Sequence, residues 1–248
     1  MKKYFVFSDV HGEYQNLIKS LKTKNFDPDN LNHVLISLGD NFDRGSENVE
    51  VLEFLLKYNK QGRLIAILGN HDKMLLDFIT GVDDAYFNAV YNGLSQTIAD
   101  LSGVKEINFY LLQADPDFYI DKIKRRFPGL LRFLKNMKLK GIELDEYVMT
   151  HGGYSIANIY FLEDSEVEWV VDNWAKTNIF VDQFDPGDKI YIFGHWHARL
   201  LRRDFGQESS DETFIYNNFI GIDAATNASG FVNIYVIETD SEPISITN

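Results

Sequence analysis

Five short apolar runs in this chain each stop at a glycine-flanked cluster of Asp, His or Asn, and no other feature constrains the fold as tightly. The runs cover residues 4–8, 33–38, 63–68, 147–150 and 189–193. They are rich in β-branched and aromatic residues and end abruptly, the signature of buried strands. The clusters are Asp9-Val10-His11-Gly12, Gly39-Asp40-Asn41-Phe42-Asp43-Arg44-Gly45, Gly69-Asn70-His71-Asp72, His151-Gly152-Gly153 and Gly194-His195-Trp196-His197. In open α/β sheets, ligand sites form beyond the carboxyl ends of strands. The five ends are therefore expected to converge on one site, with glycine allowing the sharp turns and close approaches.

Helical spacing separates the strands. Tyr14, Leu17, Ile18 and Leu21 share a face, as do Val51, Leu52, Leu55 and Leu56. This alternation predicts an α/β core with some parallel strands. Two further strands are expected at 214–222 and 231–237. The stretch 81–141 reads as mainly helical and carries a basic cluster, Lys122, Lys124, Arg125 and Arg126. It is expected to form a helical insert or cap, reaching to about residue 146, on a single domain. The plain alternative for the basic cluster is a solvated helix face.

Composition removes several functions. The net charge is −13, a surface that repels phosphate backbones, so general nucleic-acid binding is not expected. There is no cysteine, which excludes thiol nucleophiles, iron–sulfur clusters and cysteine-ligated zinc. No apolar run approaches a membrane span. Residues 1–8 are too short for a signal peptide ahead of Asp9. The expected location is the cytoplasm.

Carboxylate and imidazole together suit manganese, iron or zinc, whereas calcium and magnesium prefer all-oxygen sites. The two oxygens of Asp40 can bridge two ions, and seven candidate ligands exceed what one such ion takes from protein. Singly, Asp9-x-His11 and His151-Gly-Gly are weak signals. His195-x-His197 on a strand would put both side chains on one face, a ligand arrangement. Gly-Asp-x-x-Asp-Arg-Gly fixes five positions, with a chance occurrence on the order of one in ten thousand at average residue usage.

The ordered set Asp9-x-His11, Gly39-Asp40-x-x-Asp43-Arg44-Gly45, Gly69-Asn70-His71-Asp72, His151-Gly152 and Gly194-His195-x-His197 resembles the calcineurin-like metallophosphoesterases. The Asp43-Arg44-Gly45 ending is similar to the phosphoprotein phosphatase branch, its bacterial and phage members especially. The resemblance implies two facing mixed β-sheets flanked by helices and a centre of two divalent ions, manganese first, with iron or zinc as alternatives. By likeness, Asp9, His11 and His197 bind one ion, Asp40 bridges, and Asn70, His151 and His195 bind the other. A metal-held water attacks phosphorus in line. Arg44 binds the phosphoryl oxygens through its planar fork. His71 protonates the leaving oxygen, and Asp43 orients it.

The implied activity is hydrolysis of phosphate monoesters, on phosphoserine or phosphothreonine proteins or small phosphate esters. The alternative is a symmetric dinucleoside polyphosphate hydrolase. A phosphodiesterase and a non-catalytic scaffold follow behind. The chain departs from the family in having no arginine between Gly152 and Gly194. Lys176, in Trp174-Ala175-Lys176, stands where a phosphate-binding arginine is usual, and Arg125 or Arg126 are substitutes from the insert. Asp72 replaces the usual Glu, and with Trp196 it resembles the dinucleotide hydrolases. His33 is expected to be structural. Asp223 ends a strand near the site without an assigned role.

Overall fold

The computed structural model describes residues 1–82, 85–138, 140–152, 181 and 185–246. Strand β1 (Lys2–Phe7) is buried from Tyr4 to Phe7 on both faces, the condition of a strand covered on two sides. It pairs in parallel with β2 (His33–Ser37), which pairs in parallel with β3 (Leu64–Ala66). A first sheet results, in the order β3-β2-β1-β9, with β9 (Tyr235–Thr239) antiparallel at the far side of β1.

The second sheet has six strands in the order β10-β4-β5-β6-β8-β7. Its members are β4 (Ile142–Leu144), β5 (Tyr147–Thr150), β6 (Ile190–His197), β7 (Phe214–Tyr216), β8 (Phe219–Asp223) and β10 (Ile244–Ser245). β5, β6 and β8 run parallel, while the remaining pairs are antiparallel. The sheets face each other. Tyr4, Val6 and Ile36 of the first pack with Met149, Ile192, Ile220 and Ile222 of the second.

Alternation along each strand sends the next residue outward. Phe5, Phe7 and Leu35 pack beneath α1 (Tyr14–Thr23) and α2 (Asn48–Lys60). Phe193 and Phe219 pack beneath Leu201 of α9 (Ala198–Asp204). The expected layering of two mixed sheets between helices is the one observed.

Between β3 and β4 the chain runs through α3 (Asn70–Thr80), α4 (Ala85–Tyr91), α5 (Leu94–Ser102), α6 (Phe109–Ala114), α7 (Asp117–Arg126) and α8 (Leu130–Lys135). Leu94, Ile98, Leu101, Ile123 and Leu130 belong to the same apolar cluster as α1 and α2, so these helices extend the existing core. The chain rejoins a sheet earlier than the sequence suggests: Lys138 bridges Ile67 and β4 lies inside the stretch read as helical insert. Three residues are too few for a strand pattern to show. The single strand expected at 214–222 is instead the hairpin β7–β8. Asn217 turns it, in the left-handed region at φ 49°, where Asn is tolerated. No helix among the described residues is long and apolar enough to cross a membrane.

Candidate metal centre

The loops leaving β1, β2 and β3 and those leaving β5 and β6 lie at the carboxyl ends of their strands, on one side of the facing sheets. Backbone bonds lace them together. Asp9 N donates to Gly39 O at 3.0 Å, His11 N to Asp40 O at 3.1 Å, and Gly194 N to His151 O at 2.7 Å. The loops are also strained. Ten non-glycine residues among those described have positive φ, and six of them are Asp9, His11, Asp40, Asp43, Arg44 and His195. Left-handed backbone at non-glycine positions persists only where the surroundings enforce it. Space is equally tight: a Cβ on Gly39, itself at φ 105°, would lie 2.5 Å from Gly69 N.

Asp40 sits at the middle. His151 Nε2 lies 3.4 Å from its Oδ1 and His11 Nε2 3.8 Å from its Oδ2. Asn70 Oδ1 is 3.0 Å from His151 Nε2, and Asp9 Oδ1 is 4.0 Å from His11 Nε2. All of these residues are buried. Among the described residues two groups of metal-capable atoms form, one from His11, Asp40 and His71 and one from Asp40, His151 and His195. Asp40 is common to both.

Imidazole tautomers test whether cations fit. Nδ1 of His11 faces Phe42 O and Nδ1 of His151 faces Leu38 O, each at 2.9 Å. A carbonyl only accepts, so each Nδ1 carries a proton, and each Nε2, in the neutral ring, turns a lone pair toward the carboxylate and amide oxygens. Acceptors confronting acceptors in a buried site call for positive charge between them, and a backbone-anchored imidazole is the ordinary dress of a metal ligand. Burial drives His11 and His195 down to about 3, into the neutral form that ligates metal. Burial also lifts Asp9 to about 6, opposed by His151 and reinforced by Asp40. For Asp40 burial is outweighed by His151, His71 and His11, and its carboxyl stays well below the usual range. Without a cation, His151 takes the balancing charge as a proton: burial opposes it, but Asp40 and Asp9 lift it to about 10.

His71, a member of the first group by distance, stands at the start of α3. Its Nδ1 donates to Asp43 Oδ2 at 2.7 Å, and its ring meets His11 edge-on at 4.7 Å. Burial works against its charged form, yet Asp40 and Asp43 prevail and raise its pKa. Arg44 spans the two rings, with NH1 3.3 Å from His11 Nε2 and NH2 3.1 Å from His71 Nε2.

Strand β6 is irregular where it carries His195 and His197. The register of β6 on β8 shifts between Phe193 and His197, and His195 has φ 62°. His195 packs edge-on against His151 at 5.0 Å, and its backbone N–H donates to Asp9 Oδ2 at 2.9 Å. His197 is 46% exposed, with Nε2 3.8 Å from Asp223 Oδ2. Lys176 and Trp174 lie outside the described residues. Arg126 donates to Asp100 O and Leu101 O, each at 2.7 Å, closing the carboxyl end of α5. Arg125 bonds Asp121 O on its own helix at 3.0 Å. Among the described residues neither touches the Asp–His group. His33 is buried, with Nδ1 accepting from Asp27 N at 2.9 Å, the structural role expected of it.

Sequence reasoning undervalued three residues. Asp72, noted only as a departure, accepts from Gly69 N at 3.0 Å, Asp40 N at 2.9 Å and Asn41 N at 3.1 Å. Burial and Asp40 push its carboxyl up to about 7 while these N–H groups pull it back. Its place three residues after Gly69, at the start of a helix, is the signal that marks it. Asp223 is buried beside Asp9, and burial with that neighbour holds its carboxyl well above the usual range. Thr226 donates to Asp9 O at 2.8 Å, in a segment with no motif to announce it.

This geometry has known counterparts. A family model for calcineurin-like phosphoesterases matches residues 2–223, and the chain belongs to that family. It is a metal-dependent hydrolase of phosphate esters. It is 27% identical over 243 residues to serine/threonine-protein phosphatase 2 of Salmonella typhimurium, covering 94% of this chain and 92% of that one. It is 31% identical over 114 residues to a symmetrical bis(5'-nucleosyl)-tetraphosphatase of Buchnera aphidicola, covering 46% of this chain and 39% of the other. Its fold matches the structure of a cold-active protein tyrosine phosphatase at a TM-score of 0.59, with 18% identity, over 96% of this chain and 74% of that one.

Proposed function

We propose that the protein hydrolyses phosphate monoesters, serine/threonine phosphoproteins foremost, at a centre of two divalent ions. One observation carries the reading: the Asp43–His71 pair and Arg44 stand directly against the buried group centred on Asp40. Full-length likeness to a bacterial serine/threonine phosphatase supports the substrate class. Asp9, His11 and His197 would hold one ion, Asn70, His151 and His195 the second, and Asp40 both. Manganese is the first choice for a donor set mixing carboxylate and imidazole. When bound, the ions supply Lewis acidity toward the phosphoryl oxygens and acidify water.

The chain's own groups do the rest. Arg44 offers two N–H donors that now rest on ring nitrogens, and a phosphoryl group entering the site would take both. His71, held at Nδ1 by Asp43, presents Nε2 as the atom that gives a proton to the leaving oxygen. Lys176 would add a point charge for the phosphate, and Asn70 would help place it. A cysteine-free chain fits the reducing cytoplasm, the compartment this reading carries.

A dinucleoside polyphosphatase is the second reading, favoured by the partial likeness to the Buchnera enzyme and by Asp72 and Trp196. Initial rates with manganese on a phosphothreonine peptide, para-nitrophenyl phosphate and diadenosine tetraphosphate separate the two. The peptide should be hydrolysed with the highest kcat/KM. Preference for the dinucleotide would install the second reading, and no turnover of any of the three would end both.

A further inference from the structure

Helix α5 presents an apolar stripe, Leu94, Ile98 and Leu101, to the core. Thr97 lies on the same stripe and is fully buried. A hydroxyl in such a place is costly unless it is bonded, and its two short bonds go to one residue of the candidate site, with Asn48 Oδ1 further off at 3.4 Å. Thr97 Oγ1 donates to Asp43 Oδ1 at 2.5 Å and accepts from Asp43 N at 2.9 Å. Asp100, one turn further along the same face, accepts from Asn48 Nδ2 at 2.8 Å. Asn48 then accepts from Asp43 N at 3.0 Å and donates to Gly45 O at 2.8 Å. The start of α5 abuts the next residue of the turn: a Cβ on Gly93 would lie 2.9 Å from Arg44 N.

The grip falls where the turn is least able to hold itself. Asp43 and Arg44 are consecutive non-glycine residues in the left-handed region, at φ 72° and 69°. The Asp43 carboxylate plane turns about the Cβ–Cγ bond. His71 Nδ1 occupies Oδ2 at 2.7 Å, and the Thr97 hydroxyl occupies Oδ1. With both oxygens taken, the plane is fixed, and so is the direction of His71 Nε2.

We infer that Thr97 is a positioning residue for the reaction, acting through Asp43 on His71, and that the helical insert is thereby part of the catalytic turn. The inference rests on the roles proposed above for Asp43 and His71. The competing account makes Thr97 a simple anchor of α5 to the core, without effect on His71.

Thr97→Val keeps the branched shape and removes the hydroxyl, while Thr97→Ser keeps the hydroxyl. With manganese and para-nitrophenyl phosphate, Thr97→Val should lower kcat about 10- to 100-fold, the usual effect of losing a partner that orients an acting group, with KM little changed. Thr97→Ser should restore kcat. In an Asp43→Asn background, Thr97→Val should add no further loss, because the two residues act as one unit. A second arm needs no turnover: the His71 Nδ1 proton of the zinc-loaded protein, read by NMR, should shift in Thr97→Val and return in Thr97→Ser. Unchanged kcat in Thr97→Val, full additivity with Asp43→Asn, or an unmoved His71 resonance would each overturn the inference. If the protein turns over no phosphate ester, the resonance alone decides whether Thr97 orders the pair. Should the valine variant not fold, Thr97→Ala is read by the same two arms.

Discussion

The loops at the ends of β1, β2 and β3 and the helices α4 to α8 each bury side chains, but for opposite reasons. The strand-end loops bury Asp9, His11, Asp40, Asp43, Asn70 and His71, groups whose desolvation opposes folding, the first four on backbone held in the left-handed region. The helices bury Ile98, Leu101, Ile123 and Leu130, each worth about 1.5–3 kcal/mol in removal from water. One region spends stability to assemble chemistry, and the other supplies it. The two meet at Thr97 and Asp100, where helical backbone reaches the strained turn. Function and stability should therefore separate cleanly on substitution everywhere except at that junction.

The largest blow to that division is expected from Asp40→Asn. It removes the one carboxylate common to both groups of metal-capable atoms, so turnover should fall to background and the bound metal, read by elemental analysis after dialysis, should drop below two ions. Retention of two ions and activity would refute the central place given to Asp40. His71→Asn comes next: kcat should fall about 10²–10⁴-fold, the range of a lost general acid, with metal content intact. Asp72→Asn touches no ligand atom proposed here, yet it turns an amide toward N–H donors. Metal affinity, measured by isothermal titration, should weaken about 10–100-fold. Leu130→Ala is the converse case. Thermal unfolding should show a loss of about 2–5 kcal/mol, while kcat per folded molecule stays as it was; a matching fall in kcat would break the comparison.

The smallest effect concerns His33, at the opposite end of β2 from the Asp40 loop. Burial, aided by Lys3, lowers its pKa, and Nδ1 is an acceptor. The unfolded chain thus binds the proton more readily than the folded one. Stability is full above the unfolded value of about 6.5 and declines as pH falls below it. Urea melts of His33→Gln and the parent across that range should differ in slope with pH.

The strand-end loops were legible because their residue types have few other uses. Asp and His flanked by glycine, recurring after apolar runs, is a pattern packing alone does not require. The convergence on Asp40 follows from that pattern. The helices between β3 and β4 were legible only as helices, since periodicity reports which face is buried and not what it meets. Thr97 reads as an ordinary helical residue until α5 is laid against the Asp43 turn. The irregularity between Phe193 and His197 could not be read in advance, because period-two alternation presumes an unbroken strand and β6 shifts its register there. Strand β4 was too short to announce itself, and Asp223 gained meaning only once β8 was placed beside β6.

The left-handed residues of the centre have a consequence for how such a protein can change. At Asp9, His11, Asp40, Asp43, Arg44 and His195 the backbone would be relaxed by glycine, the one residue with no side chain to bring to a phosphate. A lineage or a laboratory selected for heat resistance alone would drift toward glycine at these positions and lose the reaction as it gained stability. The positions that resist such drift in a population under selection for turnover are a record, written in backbone angles, of what the activity requires.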